Sequence, residues 1–263
     1  MDFLFLFVWS SIALFILWRG WFSRLSRPAL VPIHLSVQLS LVSLPLICAV
    51  FLLVVLLKCS AATVRSDRIW VFGYFAFGSA WIAASQFAFG LLGIAMRDDV
   101  IERRNPSAAW VVAGQLIAST CCLAGANMGN GSSPEVVVFC ALLSTVTLLL
   151  TWLLFDWIAA ASETITIERD SAAGIRVAGW LIAVGIVCGA SVTGDWHNVS
   201  RTLSDFAGYI WPILAFSFWL ALFERVLRKQ QALAGRIKVP ASAVVAASSV
   251  ALAVVYVWKR GLH

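Results

Sequence analysis

Charge is what this chain has least of. Only 12% of its 263 residues are Asp, Glu, Lys or Arg, against 61% apolar residues, and the mean hydropathy is +0.92. A soluble domain of this length cannot hide so much apolar surface, which excludes the ordinary water-soluble classes. Histidine is scarcer still. His34, His197 and His263 stand far apart, with no H-E-x-x-H, no paired-cysteine ligand spacing, no phosphate loop and no G-x-S-x-G. The expectation is a non-enzymatic chain with no catalytic residue, metal or cofactor. The six cysteines follow no ligand or disulfide spacing; Cys48, Cys121, Cys122, Cys140 and Cys188 fall within apolar runs and Cys59 at a border, as small packing residues do. The net charge of +6 has no basic soluble segment behind it, so no nucleic-acid partner is expected.

What the chain does have is long apolar runs. A helix crosses the hydrocarbon core with about 20 mostly apolar residues. Eight candidates are separated by charge or turn residues, at roughly 3–18, 34–57, 69–95, 107–127, 135–156, 172–193, 205–223 and 239–257. The first is short, but Met1-Asp2 offers no basic start and no A-x-A cleavage site follows, so it is read as a retained span. The fold class expected is all-α: a polytopic membrane bundle of about eight transmembrane helices in contact with the lipid bilayer. Thirteen of the nineteen Lys and Arg residues fall in one set of alternate loops, which places those loops in the cytoplasm and both termini on the opposite side of the membrane. Tryptophans 18, 21, 70, 110, 157, 196, 211 and 258 cluster towards span ends as interfacial anchors.

A repeat emerges at an offset of 65 residues. "ERRNPSAAWVVAGQLIA" (102–118) returns as "IERDSAAGIRVAGWLIA" (167–183), and the polar flanks agree: Asp98 with Glu163, Arg104 with Arg169, Asn105 with Asp170, Gly114 with Gly179, Gly129 with Gly194 and Asn130 with Asp195. Two copies, each a helix, a charged loop and a second helix, run in the same direction through the membrane. Such parallel repeats are expected to relate by a pseudo-two-fold axis along the membrane normal. The divisions are 1–68 (two N-terminal spans), 69–131 (first repeat), 132–196 (second repeat) and 197–263 (two C-terminal spans).

An acidic, arginine-bearing loop, then Asn or Asp, then an Ala-rich helix start with Gly beyond it, written twice, resembles the YjfL-like family known as domain of unknown function 350. The resemblance covers Trp70 to Trp196, with Gly194 to Glu224 as a partial further copy. It implies a bacterial inner-membrane protein of paired two-helix repeats, whose genes tend to be accompanied by those for envelope-stress and polyamine-related proteins, and brings no established activity.

The motif has two readings. In the architectural one, Asn105 and Asp170 are N-caps and Pro106 occupies a first helical position, while Gly114, Ala118, Gly179, Ala183, Gly185 and Gly189 let helix backbones approach closely. In the functional one, two helix N-termini lie side by side at a cytoplasmic mouth ringed by Asp98, Asp99, Glu102, Arg104, Glu163, Glu168 and Arg169, and select an ion or small solute. Asp156 and Glu224, at span ends, are read as snorkelling to water, and Arg176, one turn into a span, as pairing with Glu168 or a headgroup phosphate. The preferred function is a membrane component that assembles with further copies or with other membrane or stress-response proteins. The alternative is a small-solute or ion pathway between the repeats, which requires a polar cavity there.

Overall fold

The computed structural model describes residues 3–26, 35–130, 133–234 and 239–261. The helices are α1 (Phe3–Ser26), α2 (Leu35–Lys58), α3 (Ala62–Ser66), α4 (Arg68–Leu91), a π-helical turn (Met96–Glu102), α5 (Pro106–Ala126), α6 (Pro134–Ala159), α7 (Ala161–Thr166), α8 (Ser171–Ala190), α9 (Val199–Ala234) and α10 (Val239–Arg260). No strand occurs among the described residues. Six helices, α2, α5, α6, α8, α9 and α10, are long and apolar enough to cross a membrane; α4 with the π-helical turn makes a seventh if that pair, bent by 75°, counts as one span. The described apolar stretch of α1, Phe7–Ser23, is shorter than a full crossing.

Two boundaries differ from the sequence reading. The run drawn as 69–95 stops being α-helical at Leu91, because Gly93 adopts φ +124° and turns the chain into the π-helical segment. The run drawn as 205–223 belongs to a helix of 36 residues, about 54 Å long and well beyond the hydrocarbon thickness of about 30 Å. It is longer than a crossing along the membrane normal requires.

The core is organised around α8. α5 packs along its whole length, and the contacts proceed in the same order on both helices: Ser107 at Gly174, Gly114 at Ala178, Ala118 at Gly185, Gly125 at Gly189 and Gly129 at Gly194. The two helices therefore run parallel. Small residues bring the backbones together, since a Cβ built on Gly114 would lie 2.8 Å from the Cα of Ala178, and one on Gly125 would collide with the Gly189 carbonyl. On its other side α8 meets α10, where Gly179 lies against Ala246. Equivalent positions thus face successive neighbours: Gly114 faces α8, but Gly179 faces α10 rather than turning back to α5. A two-fold relation would require Gly114 and Gly179 each to face the other's helix, so these contacts correct the pseudo-two-fold expectation. The order is a row, α5 then α8 then α10.

Interior aromatics fill the remaining core. Trp152 and Trp180 are fully buried, with Phe155 stacked on Trp180 at 3.9 Å and the Trp180 indole N–H donating to Ser217 Oγ (2.9 Å). Outward faces are apolar: Trp110, Trp157, Trp211 and Trp258 are exposed along with many Leu, Val and Phe side chains, the pattern of a surface solvated by lipid. Trp21 departs from the anchor pattern; it is buried and its indole N–H donates to the Leu41 carbonyl.

Candidate functional site

The repeated loops fold alike. In the first, Arg103 N–H donates to Asp98 O and Asn105 N–H to Asp99 O; in the second, Glu168 N–H donates to Glu163 O and Asp170 N–H to Thr164 O. Arg104 and Arg169 both take positive φ (50° and 54°), a left-handed conformation that costs a residue with a side chain about 1–3 kcal/mol. The kink sends both arginines outward, where they are exposed, and turns the next side chain inward. Asn105 is 1% exposed and Asp170 3%. The Asn105 Oδ1 accepts from Ser107 N–H (2.9 Å) and Ala108 N–H (3.4 Å), with Pro106 at the first helical position, and the Asp170 Oδ1 accepts from Ala172 N–H (2.9 Å). Both are N-caps, and each satisfies backbone donors that a helix leaves unpaired.

They also join the copies. Asn105 Nδ2 donates to the Ile165 carbonyl (2.6 Å), and Ser107 Oγ donates to the Asp170 carbonyl (2.7 Å). The two N-termini are therefore side by side, but sealed against one another. The charges expected to ring a mouth are drawn elsewhere: Glu102 pairs with Arg97 (2.8 Å), Asp99 with Arg103 (3.2 Å), and Glu163 and Glu168 both with Arg228 near the end of α9 (2.8 Å each), while Asp98 is exposed.

Arg176 takes neither partner anticipated for it. It is 2% exposed; its guanidinium donates from Nε (2.5 Å) and Nη2 (2.7 Å) to the carboxylate of Glu224 on α9, and from Nη1 (2.7 Å) to Ser242 Oγ on α10. Glu224, 8% exposed, does not snorkel. The forked guanidinium satisfies both carboxylate oxygens, the arrangement that makes a buried ion pair tolerable. Asp156 is also a structural group, its Oδ1 accepting from Ser162 N–H (2.6 Å) at the start of α7. Sequence reasoning singled out both Arg176 and Glu224 but did not pair them, because Glu224 lies 48 residues away on a helix that only folding brings near.

Gly179 lies in the α8–α10 contact, while Gly114, Ala118, Gly185 and Gly189 lie in the α5–α8 seam, and Ala183 is buried on α8. Among the described residues, the void beside the capped end, lined by Thr164, Arg176, Glu224 and Arg228, measures about 10 Å³, room for about one water.

The far end of the seam is different. There the Gly-Asn and Gly-Asp turns touch: Gly194 N–H donates to Met128 O (3.3 Å), Trp196 N–H to Asn130 O (3.4 Å), and Asn130 N–H to Asp195 Oδ1 (2.8 Å). Gly129 and Gly194 hold φ of +123° and +118°, and a Cβ on Gly129 would collide with the Gly194 carbonyl. Beside these turns opens a chamber of about 290 Å³, bounded by α6 (Val136, Cys140), the turn residues Asp195, Trp196 and His197, and the start of α9 (Arg201, Asp205, Tyr209). Sequence reasoning saw Asp195 as the turn residue matching Asn130, Trp196 as an interfacial anchor and His197 as an isolated histidine, and missed the chamber because α9 makes it by folding back over them. No group of three or more His, Cys, Asp or Glu placed to hold a metal ion occurs among the described residues.

No curated protein and no solved structure matches the chain. One family model matches twice, over residues 60–192 and again over 134–258. The two matches share the segment 134–192, and the second carries the likeness through α9 and α10, beyond the Trp196 limit drawn from the motif alone. Together they span most of the chain, and the protein belongs to the family described as Domain of Unknown Function (DUF350).

Proposed function

We propose that this protein is a non-enzymatic, multi-pass component of the bacterial inner membrane, a scaffold on which further copies or other membrane and envelope-stress proteins assemble, needing no cofactor. In this reading α1, α2, α4, α5, α6, α8, α9 and α10 all cross the bilayer, both termini lie on the non-cytoplasmic side, and the loops bearing Arg104, Arg169 and Arg228 are cytoplasmic. The two-helix units follow one another as parallel repeats in a row. The observation that carries the proposal is the closed α5–α8 seam. Backbones in contact through Gly125 and Gly189, sealed at the capped end by Asn105 and Ser107, form a rigid spine and leave no passage between the copies. The ion pair between Arg176 and Glu224 extends the same spine to α9 and α10.

A small-solute pathway is the second reading, favoured by the polar chamber at the opposite end. Reconstitution in liposomes separates the two. A scaffold gives no flux of protons, monovalent cations or anions above protein-free vesicles, whereas flux that rises with protein content overturns it in favour of the pathway. Reporter fusions between Arg97 and Pro106 and between Glu224 and Lys238 should read cytoplasmic and one at His263 the reverse. A cytoplasmic reading at His263 would mean that one helix, α1 first among them, does not cross.

A further inference from the structure

The row of α5, α8 and α10 repeats one junction and leaves it unfinished at both ends. Val112-Ala113-Gly114 on α5, Val177-Ala178-Gly179 on α8 and Val245-Ala246-Ala247 on α10 are one tripeptide written three times, with Ala in the last place on α10. In each completed junction the glycine of one helix lies on the first alanine of the next: Gly114 on Ala178, then Gly179 on Ala246. Every copy thus has a receiving residue and, directly after it, a presenting one. Two halves are left over. Ala247, the presenting residue of α10, is exposed, and so are Ala243 and Ala251 one turn to either side, small residues at the four-residue spacing that lets helix backbones approach closely. Ala113, the receiving residue of α5, opens on an apolar groove of about 310 Å³ between α5 (Pro106, Ala109, Trp110) and α2 (Leu41, Leu44). Further along α5, at Thr120, whose counterpart Gly185 receives Ala118, Cys48 of α2 already covers this face.

We propose that a second copy of this chain completes the junction: Ala247 of one copy presents to Ala113 of the next, and the first half of α10 seats in the α2–α5 groove. The presenting and receiving faces already fit each other twice within the chain, so the two leftover halves have matching shapes. The methyl group of Ala247, absent from Gly114 and Gly179, enters the groove. Orientation agrees as well. Arg176 meets Ser242 and Gly179 meets Ala246 in the same order along α8 and α10, so α10 runs parallel to α8 and therefore to α5. Ala113 and Ala247 each lie about two turns into their helices, which puts them at one depth in copies that are inserted the same way. The contact joins two different faces and is head-to-tail. Each joined pair again leaves one presenting and one receiving half, so the row extends or closes into a ring. This inference rests on the scaffold reading and names the partner that the scaffold takes first.

Disulfide cross-linking in native membranes, between full chains carrying different tags, tests the contact. Ala247→Cys in one copy should cross-link to Ala113→Cys in the other about tenfold above either variant paired with itself, since a heterologous contact does not bring two copies of one face together. The unaltered chain, with its six cysteines, sets the background. Energy transfer between labelled full chains in liposomes reads association directly: Ala247→Leu should weaken it about tenfold or more, the scale of overpacking a close contact, while Ala247→Gly restores the residue of the internal junctions and keeps or tightens it. Helical circular dichroism checks the fold of each variant, and the cross-linking pair stands by itself if the leucine variant does not fold. Cross-linking of Ala247→Cys copies with one another alone means a symmetric α10 pair and overturns the head-to-tail row. No cross-link above background overturns it too, and labelling of Ala113→Cys by a membrane-soluble maleimide then assigns the groove to lipid. Equal association of wild type and folded Ala247→Leu has the same result. Failure here is distinct from failure of the scaffold reading: monomers without flux end this inference and leave a scaffold for other proteins, whereas flux from a cross-linked row ends the scaffold and leaves the contact.

Discussion

The two ends of the α5–α8 pair are written in the same repeated residues and come out differently. At the capped end, Asn105 and Asp170 turn inward, Ser107 bridges the copies, and α9 closes over the site through Glu224 and Arg228. At the other end the parallel register again brings matching turns together, Gly129 on Gly194 and Asn130 on Asp195, yet α6 and α9 stand apart from them and a chamber remains. The repeated residues determine which local turn forms. The third neighbour determines whether that end is sealed or open.

The largest effect expected from breaking this contrast is at Arg176. Arg176→Met leaves the Glu224 carboxylate buried without its partner, and losing one side of a buried pair costs about 3–5 kcal/mol. Replacing both, Arg176→Met with Glu224→Leu, should recover most of that loss, because the desolvation of two charges disappears together with their attraction. At the open end, Asp195→Asn should change stability by about 0.5 kcal/mol or less. Thermal unfolding in detergent measures all three. A single Arg176 variant as stable as the wild type would mean that the capped end is not sealed.

Next is the seam itself. A methyl group on Gly125 meets backbone, not a movable side chain, so Gly125→Ala should cost about 3 kcal/mol, the upper part of the range for overpacking. Gly208, on α9, has nothing within 4 Å of a built Cβ; Gly208→Ala should be neutral or stabilising by up to about 1 kcal/mol through helix propensity. Equal stability of the two variants would show that α5 and α8 can separate, and would revive a pathway between them.

These contrasts also mark what the amino-acid sequence made legible. Membrane class, helix positions, the caps at Asn105 and Asp170 and the close-packing glycines could all be read because each depends on residues within one or two turns of one another. Gly93 halting α4 and the length of α9 were missed for a related reason: apolar periodicity continues across both boundaries while the backbone does not. The Arg176–Glu224 pair, 48 positions apart, the heterologous row that sends Gly179 to Ala246, 67 positions on, and the chamber at Asp195 were beyond reach, because each is created by distant helices choosing neighbours. The second family match, 134–258, also reaches over α9 and α10, where few of the repeated polar residues recur.

The smallest effect sharpens the comparison within the capped end, where the two caps look interchangeable in sequence. Asn105 uses both ends of its amide: Oδ1 caps α5, and Nδ2 donates to the buried Ile165 carbonyl. Asn105→Asp keeps the cap but sets a carboxylate oxygen against that carbonyl, so it should cost about 1 kcal/mol or more for the lost bond and the unsatisfied acceptor. Asp170 has one oxygen on Ala172 N–H and a second, Oδ2, that is buried with no hydrogen-bond partner. Asp170→Asn therefore retains the cap and removes a charge that burial disfavours, and the change should fall within about 0.5 kcal/mol of zero or stabilise slightly. Unfolding midpoints of the two swaps, measured side by side, decide the matter. If both are neutral, the Asn105–Ile165 bond does not join the copies; if Asp170→Asn is the more damaging of the two, the Asp170 carboxylate has a role beyond capping α8.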